Sequence, residues 1–493
     1  MILLKLNPKT DISLHKQIVQ RIIEMIEKDV LPAGSKLPST RQLSEKLGVD
    51  RSTVYKAYQE LNALGYLESK PGSYTTVRKR PKVAVDINKQ RSSLIDWEEE
   101  FNNPSNCVYE FFLSHENEEN GAGSKDFLDF TCLSLDKRLF PIDDLRRCLN
   151  TVLVNQGKEI LGYGSPFGYQ PLREYIANRL QTHGISLQSD NILITNGCQQ
   201  ALDLIIKLFG SPDKKVVVEA PTYFDIIPLL KYYKVGVIEI PMLSDGLDLA
   251  YLEKKLKKEK PAFIYTIPNF HNPTGIATSQ NHREELLSIA EKYKVPIIED
   301  GFEEEMKYFG KVSLPIKSMD KNQIVFYLGT FSKSLFAGIR IGWIVADKEC
   351  IKRLAALKKF TDLGSNTIVQ TAMYEFCRNG YYDLHLKRIH RAYRKRMQTV
   401  LRVMEEELPE NVTWTKPDGG YTIWVTLKES YRDLETLKKV MRENKVIVSP
   451  GRFFYYGPCP DKSFRISISY LNEEEILIGI KRLAKALRAL QKK

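Results

Sequence analysis

Residues 327–343 read YLGTFSKSLFAGIRIGW. An apolar run ends in a Gly/Ser/Thr loop that holds one lysine, Lys333, and Arg340 follows seven residues later. Ligands of α/β sheets collect just beyond the carboxyl ends of the strands, so Lys333 is a candidate for covalent attachment of a cofactor. Taken alone, a lysine in such a loop is more commonly a surface side chain. The rest of the chain has to decide.

Working outward, the apolar runs KVVVEA (215–220), VGVIEI (235–240), AFIYTI (262–267), VPIIED (295–300), QIVFYL (323–328) and IGWIVA (341–346) alternate mostly with helical stretches. Runs apolar on both faces and separated by helices predict a mostly parallel sheet covered on both sides, an α/β fold beginning near residue 127. From about residue 375, long charged helices and two strand pairs predict a smaller C-terminal α+β lobe. No internal repeat is present.

A chain of 493 residues exceeds one core and implies two or three domains. With 43% hydrophobic and 27% charged residues it falls in the ordinary globular range. No apolar run approaches the roughly eighteen residues of a membrane span, and MILLKLNPKTD is too short in apolar residues for a signal peptide. The seven cysteines are scattered without a CxxC, which predicts reduced thiols in a cytoplasm. Net charge is +12, and residues 1–82 hold 15 Lys/Arg against 8 Asp/Glu. A basic N-terminal module on a larger body points to nucleic acid, although such charge also suits a solvated surface.

That module has its own layout. Residues 14–29 place Leu14, Ile18, Ile22 or Ile23, and Ile26 at helical spacing. After the break LPAGSKLPS, two short helical patterns, 39–48 and 50–65, join at Gly48, with Asp50 as the expected cap of the second. Leu43, Leu47, Val54, Ala57, Tyr58, Leu61 and Leu64 can share a small core. YLESKPGSYTTV (66–77) reads as two β-runs around Pro71-Gly72, a wing. Helix, tight turn, helix and wing are the layout of an α+β winged helix-turn-helix. Arg51, Ser52, Thr53 and Tyr55 then fall in the first turns of the second helix, where recognition helices meet base edges. Arg51 suits a guanine, and Ser39, Arg41 and Lys56 suit phosphates. The geometry alone also fits a protein–protein module. From 81 to 126 the pattern fades into basic, then acidic and turn-rich sequence, predicted as a linker with a short ordered stretch at VYEFFLS.

Pyridoxal phosphate chemistry asks for several groups beyond a lysine, and each can be sought. A carboxylate must hold the pyridine nitrogen protonated; Asp300 ends an apolar strand, an unlikely place for an unpaired acid. A phosphate cradle needs amides at a helix N-terminus, which Gly197, Cys198 and Gln199 in ILITNGCQQALDLI supply. Thr330, Ser332 and Arg340 can complete it. Tyr223 in EAPTYF can cover the ring, and Asn272 in FHNPTG can reach its hydroxyl.

Two resemblances narrow these readings. LPSTRQLSEKLGVDRSTVYKAYQELNALGYLESKPGSYTTV resembles the GntR-type winged-helix domain, which implies a double-stranded DNA operator contacted through Arg41, Arg51, Thr53 and the wing residues Gly72 and Ser73. YGSPFGYQPLREYIANRL, TNGCQQAL, EAPTYF, PNFHNPTG, IIEDGFEEEM, GTFSKSLFAGIRIGW and FRISIS resemble the fold-type I, class I/II aminotransferases. That implies pyridoxal 5'-phosphate on Lys333, Asp300 on the pyridine nitrogen and Asn272 on the phenolic oxygen. It further implies Arg465 on a ligand carboxylate, and Tyr163 reaching the phosphate of a neighbouring subunit in a homodimer. Two departures stand out. Relatives commonly carry Asp-Asp-Tyr where this chain has Asp300-Gly301-Phe302, and often proline at Ala337. Phe302 loses a hydroxyl toward the cofactor, which puts full transaminase turnover in doubt.

The two halves in this order resemble the MocR subfamily of transcription regulators. The resemblance implies a DNA-binding module (1–80), a linker (81–126) and a cofactor-binding, dimerising domain (127–493). An amino compound would displace Lys333 to give an external aldimine, and lobe movement would reposition the DNA modules of a homodimer, swapped or unswapped, with swapping favoured by analogy. Two alternatives stay open: a cytoplasmic aminotransferase on amino acids and 2-oxo acids, and a DNA-binding protein whose large domain only dimerises.

Overall fold

The computed structural model describes residues 6–8, 10–69, 74–79, 94–119, 126–428, 434–460 and 462–490. Contacts divide the chain into two units, Met1–Trp97 and Glu98–Lys493.

In the first unit, helices Leu14–Glu27, Thr40–Leu47 and Arg51–Ala63 precede an antiparallel pair, Leu67–Ser69 with Thr75–Val77. Apolar side chains at helical spacing pull the three helices together. Ile18, Ile22, Leu43, Val54, Ala57 and Leu61 are fully buried, and Leu67 and Val77 tie the wing to them. Ile22 faces the core and Ile23 its edge. Leu64 does not join; it ends the last helix and is half exposed. Gly48 closes the second helix at φ +65°, a left-handed turn that suits glycine. Asp50 occupies the cap position, but its carboxylate makes no capping hydrogen bond. The Thr53 N–H is met instead by the Asp50 carbonyl at 3.0 Å, a tightened first turn that leaves the side chain unused. Gly72 and Ser73 lie outside the described residues.

The second unit is built on an eight-stranded sheet. Its order is Ile192–Thr195, Gly342–Val345, Val325–Thr330, Ile297–Asp300, Ile264–Thr266, Lys215–Ala220, Gly236–Leu243 and Gly246–Leu247. The five strands from 325–330 to 236–243 run parallel, and antiparallel pairing involves only 342–345 and the short 246–247 strand. All four residues of Ile297–Asp300 are buried, as a strand covered on both faces requires. Helices Cys198–Phe209 and Lys348–Asp362 join one buried cluster, and Leu249–Leu256 and Gln280–Tyr293 another.

A second sheet, ordered 412–414, 422–427, 462–467 and 449–450, packs with helices Tyr381–Glu407 and Glu473–Leu490 as the smaller lobe. This lobe is not purely C-terminal. Leu128–Asp129 pairs in parallel with Val446–Ile447, so the chain enters the unit through the small lobe.

The predicted linker is corrected in its second half. Asn103–Glu119 is a helix that packs on Ile226–Tyr232, with the Phe111 ring 6.2 Å from Phe453. Its apolar side chains find their partners only in the folded large unit, which is why local sequence read as loop.

Candidate functional site

Four strand ends converge. Asp300 and Thr330 are the last residues of neighbouring strands, the 192–195 strand leads through Asn196-Gly197 into the helix Cys198–Phe209, and Tyr223 follows the end of Lys215–Ala220. The cavity between them, about 110 Å³, is several times what one water needs. Lys333, Asp300, Asn272, Tyr223, Cys198, Gln199, Thr330, Ser332 and Arg340 all line it, with Phe302 and Ala337. The sequence reading brought these residues together from five separate segments, and the fold does the same.

Lys333 is held from both sides. Its Nζ donates to the Leu133 carbonyl at 2.8 Å, and its own carbonyl accepts from the Tyr421 hydroxyl at 2.6 Å. Burial pulls its ammonium below the usual lysine range, which favours the free amine. Asp300 accepts at Oδ2 from the Tyr265 hydroxyl at 2.9 Å, while Oδ1 is buried without a partner. Burial pushes this carboxyl up to about 6, with the Tyr265 hydrogen bond opposing. A cation or a protonated ring nitrogen at Oδ1 would relieve that cost. Asn272 accepts at Oδ1 from Arg465 at 2.9 Å, and its amide Nδ2 is buried without a partner.

Across the cavity the helix Cys198–Phe209 starts at Gly197 without a side-chain cap, so its first amides are left for another acceptor. Gly197 has φ +84°, and a Cβ there would meet Arg340 Nη2 at 2.6 Å. Only glycine lets the arginine lie this close, where its Nη2 donates to the Asn196 carbonyl at 2.9 Å. Thr330 Oγ1 donates to the Ile341 carbonyl at 2.9 Å, accepts from the Ser332 N–H at 3.0 Å and lies 3.1 Å from Ser332 Oγ. Tyr223 is fixed by a 2.7 Å bond from its hydroxyl to Asp225.

Two assigned residues stand apart. Arg465 is 3% exposed and absent from the cavity wall. It sits behind Asn272, donating also to the Thr131 carbonyl and Ser449 Oγ at 2.7 and 3.1 Å. Tyr163 is 89% exposed and takes no part in its own chain's cavity. Sequence reasoning missed Tyr265, a polar tip inside an apolar strand, and Tyr421, whose only signal is its place beside two glycines.

In the first unit Arg51, Ser52, Tyr55 and Lys56 are exposed on the early turns of their helix, and Thr53 is half-buried. Ser39 caps its own helix: its hydroxyl accepts from the Gln42 N–H at 3.2 Å, which leaves the hydroxyl hydrogen to give. Arg41 is exposed and pairs with Glu45 at 3.1 Å, a contact worth little in solvent and readily exchanged.

Comparison with known proteins agrees with both units. Residues 133–483 match the class I and II aminotransferases, and residues 14–77 match the bacterial regulatory proteins of the gntR family. Aromatic-amino-acid aminotransferase 1 of Thermococcus litoralis is 36% identical over 360 residues, 72% of this chain and 86% of that protein. The HTH-type transcriptional regulator YisV of Bacillus subtilis is 31% identical over 487 residues, 98% of this chain and 97% of the relative. The crystal structure of LysN, an alpha-aminoadipate aminotransferase of Thermus thermophilus complexed with N-(5'-phosphopyridoxyl)-L-leucine, superimposes with a TM-score of 0.73. It is 29% identical and covers 80% of this chain and 99% of its own. With a GntR-type winged helix ahead of a fold-type I aminotransferase domain over nearly its whole length, the chain belongs to the MocR-like transcription regulators.

Proposed function

We propose that this regulator holds pyridoxal 5'-phosphate at Lys333 and uses it to sense an amino compound, and that the sensing is reported by the winged helix on double-stranded DNA. The observation that carries the reading is the ring of buried, unpartnered polar atoms around one desolvated lysine: Asp300 Oδ1, Asn272 Nδ2 and Gln199 Oε1. Unpaired buried polar groups are costly and call for a ligand. Pyridoxal 5'-phosphate offers a protonated ring nitrogen to the acceptor Asp300 Oδ1 and a phenolic oxygen to the donor Asn272 Nδ2; its phosphate calls for donors, which the helix amides and Arg340 supply and Gln199 Oε1 does not.

When bound, the cofactor supplies an electron-poor ring and a carbonyl carbon to which primary amines can attach. The chain's own residues do the rest. Asp300 holds a proton on the ring nitrogen. Asn272 gives its amide to the phenolic oxygen. The helix start at Gly197–Gln199, with Thr330, Ser332 and Arg340, receives the phosphate, and Tyr223 covers the ring. Lys333 supplies the amine that an incoming amine displaces. Arg465 takes a carboxylate of the ligand by exchanging one of its present partners, and Tyr163 serves the site of a second copy in a homodimer. Coupling to DNA follows if the amine-bound and free forms prefer different arrangements of that dimer.

Phe302 tests the pocket directly. A tyrosine at 302 restores a hydroxyl that withdraws electron density from the phenolic oxygen, so Phe302→Tyr should lower the pH midpoint of the cofactor's visible band by about one unit. A midpoint that does not move sinks that contact. On the DNA side, Arg51→Ala should weaken operator binding by about 1–3 kcal/mol if it pairs a base, with the visible band unchanged.

The likeness to Thermococcus litoralis aromatic-amino-acid aminotransferase 1 favours a second reading, an amino-acid transaminase with a DNA module attached. Purified protein supplied with amino acid and 2-oxoglutarate separates the two. The regulator reading expects a spectral change on adding amine with little turnover; sustained turnover at rates ordinary for enzymes overturns it.

A further inference from the structure

The helix start at Gly197, where free amides and Arg340 converge, has a support outside the cavity. Asn196 precedes Gly197, and its carbonyl accepts from Arg340 Nη2 at 2.9 Å. Its other two polar groups are also engaged. The backbone N–H donates to Gln200 Oε1 at 2.8 Å, and the side-chain Nδ2 donates to Asp362 Oδ2 at 3.1 Å. Gln200, in the first turn of the helix Cys198–Phe209, donates its Nε2 to the same Asp362 oxygen at 2.8 Å. One carboxylate oxygen therefore gathers a side chain from each side of Gly197.

Asp362 is itself held in place. It ends the helix Lys348–Asp362, and its Oδ1 accepts from the Gly364 N–H at 3.0 Å. Lys358, fully buried and one turn earlier, brings Nζ within 3.6 Å of the same oxygen. A carboxylate close to an anion site would weaken it by repulsion, and the buried ammonium offsets that charge. Asp362 does not line the cavity. Whatever it does there passes through Asn196, Gln200 and Arg340.

We propose that Asp362 is a positioning residue for the phosphate cradle: its carboxylate aims the amides of Gly197–Gln199 and fixes the carbonyl on which Arg340 rests. The inference rests on the reading of that helix start as the seat of the cofactor's phosphate. Anion binding at a helix N-terminus depends on the direction of the free amides, and a guanidinium recognises an oxyanion through a fork of fixed geometry. Both conditions are served by hydrogen bonds that meet at Asp362. Asp362→Asn keeps the shape of the side chain but turns one oxygen into an NH2. The donors of Asn196, Gln200 and Gly364 then face one acceptor and a further donor, so the tie to the helix start is broken.

The test compares pyridoxal 5'-phosphate with pyridoxal, which has the same ring and carbonyl but no phosphate. Full-length protein freed of cofactor is titrated with each, and the visible band reports binding. The wild type should prefer the phosphorylated compound. In Asp362→Asn the affinity for pyridoxal 5'-phosphate should fall about tenfold, while pyridoxal stays within about twofold of its wild-type affinity. A structural role alone would weaken both compounds together and leave the ratio of affinities unchanged; an unchanged or widened ratio overturns the inference. If that variant does not fold, Asn196→Ala, which cuts the link from Nδ2 to Asp362 and leaves the Asn196 backbone groups in place, decides by the same ratio. A wild-type protein that binds the two compounds equally overturns the phosphate reading of the cradle. One that forms no visible band with either overturns the reading of Lys333 itself.

Discussion

Lys333→Ala is expected to abolish both the visible band of bound cofactor and any response of operator binding to amines, while basal operator affinity stays at its wild-type value. The loss is total because no other lysine among the described residues lines the cavity; hydrogen bonds to Asp300 and Asn272 can orient a ring but cannot replace a covalent link. The mutation also strips the Leu133 carbonyl of its 2.8 Å donor, at a cost of about 1–3 kcal/mol to the large unit. That cost is borne outside Met1–Trp97, which has its own core. Spectra and operator titrations on one preparation check the prediction. A fall in basal operator affinity would contradict the division of labour between the two units.

The complementary change is Leu61→Ala. Leu61 is fully buried among Ile18, Ile22, Leu43 and Val54. Truncating it removes apolar contact and leaves a cavity, a loss of about 2–5 kcal/mol. Small domains have only about 5–15 kcal/mol to lose, so much of the winged helix's stability goes with this one side chain. Operator binding should weaken steeply, and the unfolding transition of the first unit should drop by about 4–8 °C per kcal/mol. The cofactor band and the transition of the large unit should not move. Calorimetry that shows one shared, shifted transition would contradict independent units.

Much of this architecture was legible in the sequence because its signals are local. Strands covered on both faces show as continuous apolar runs, and the turn at Gly48 separates two helical periods. The proposed cofactor groups could be found because several follow a strand end, with Asp300, the last residue of its strand, the clearest case. What stayed hidden depends on distant partners. The helix Asn103–Glu119 buries only part of Phe111 and leaves Tyr109 and Phe112 about half exposed, so its sequence shows little apolar face. Leu128–Asp129 joins the small lobe through a strand more than 300 residues away in sequence. Three glutamates in a row, 303–305, carry no local sign of enclosure, yet Glu303 is buried and Glu305 is held down to about 2 by His183 and Arg179 against the cost of burial. Asp50 had the right residue type for a cap and went unused because the backbone carbonyl reached the amide first. Arg465 was expected to face a ligand carboxylate, and its enclosure by Asn272, Thr131 and Ser449 was not legible because those partners come from distant segments.

The most direct measurement of the central claim is a titration of the full-length, cofactor-loaded protein with a panel of primary amines, following the visible band and operator binding in the same samples. The account predicts that at least one amine changes both with a common midpoint, and that Lys333→Ala removes both changes. A band that responds to amines while operator binding stays constant would contradict it.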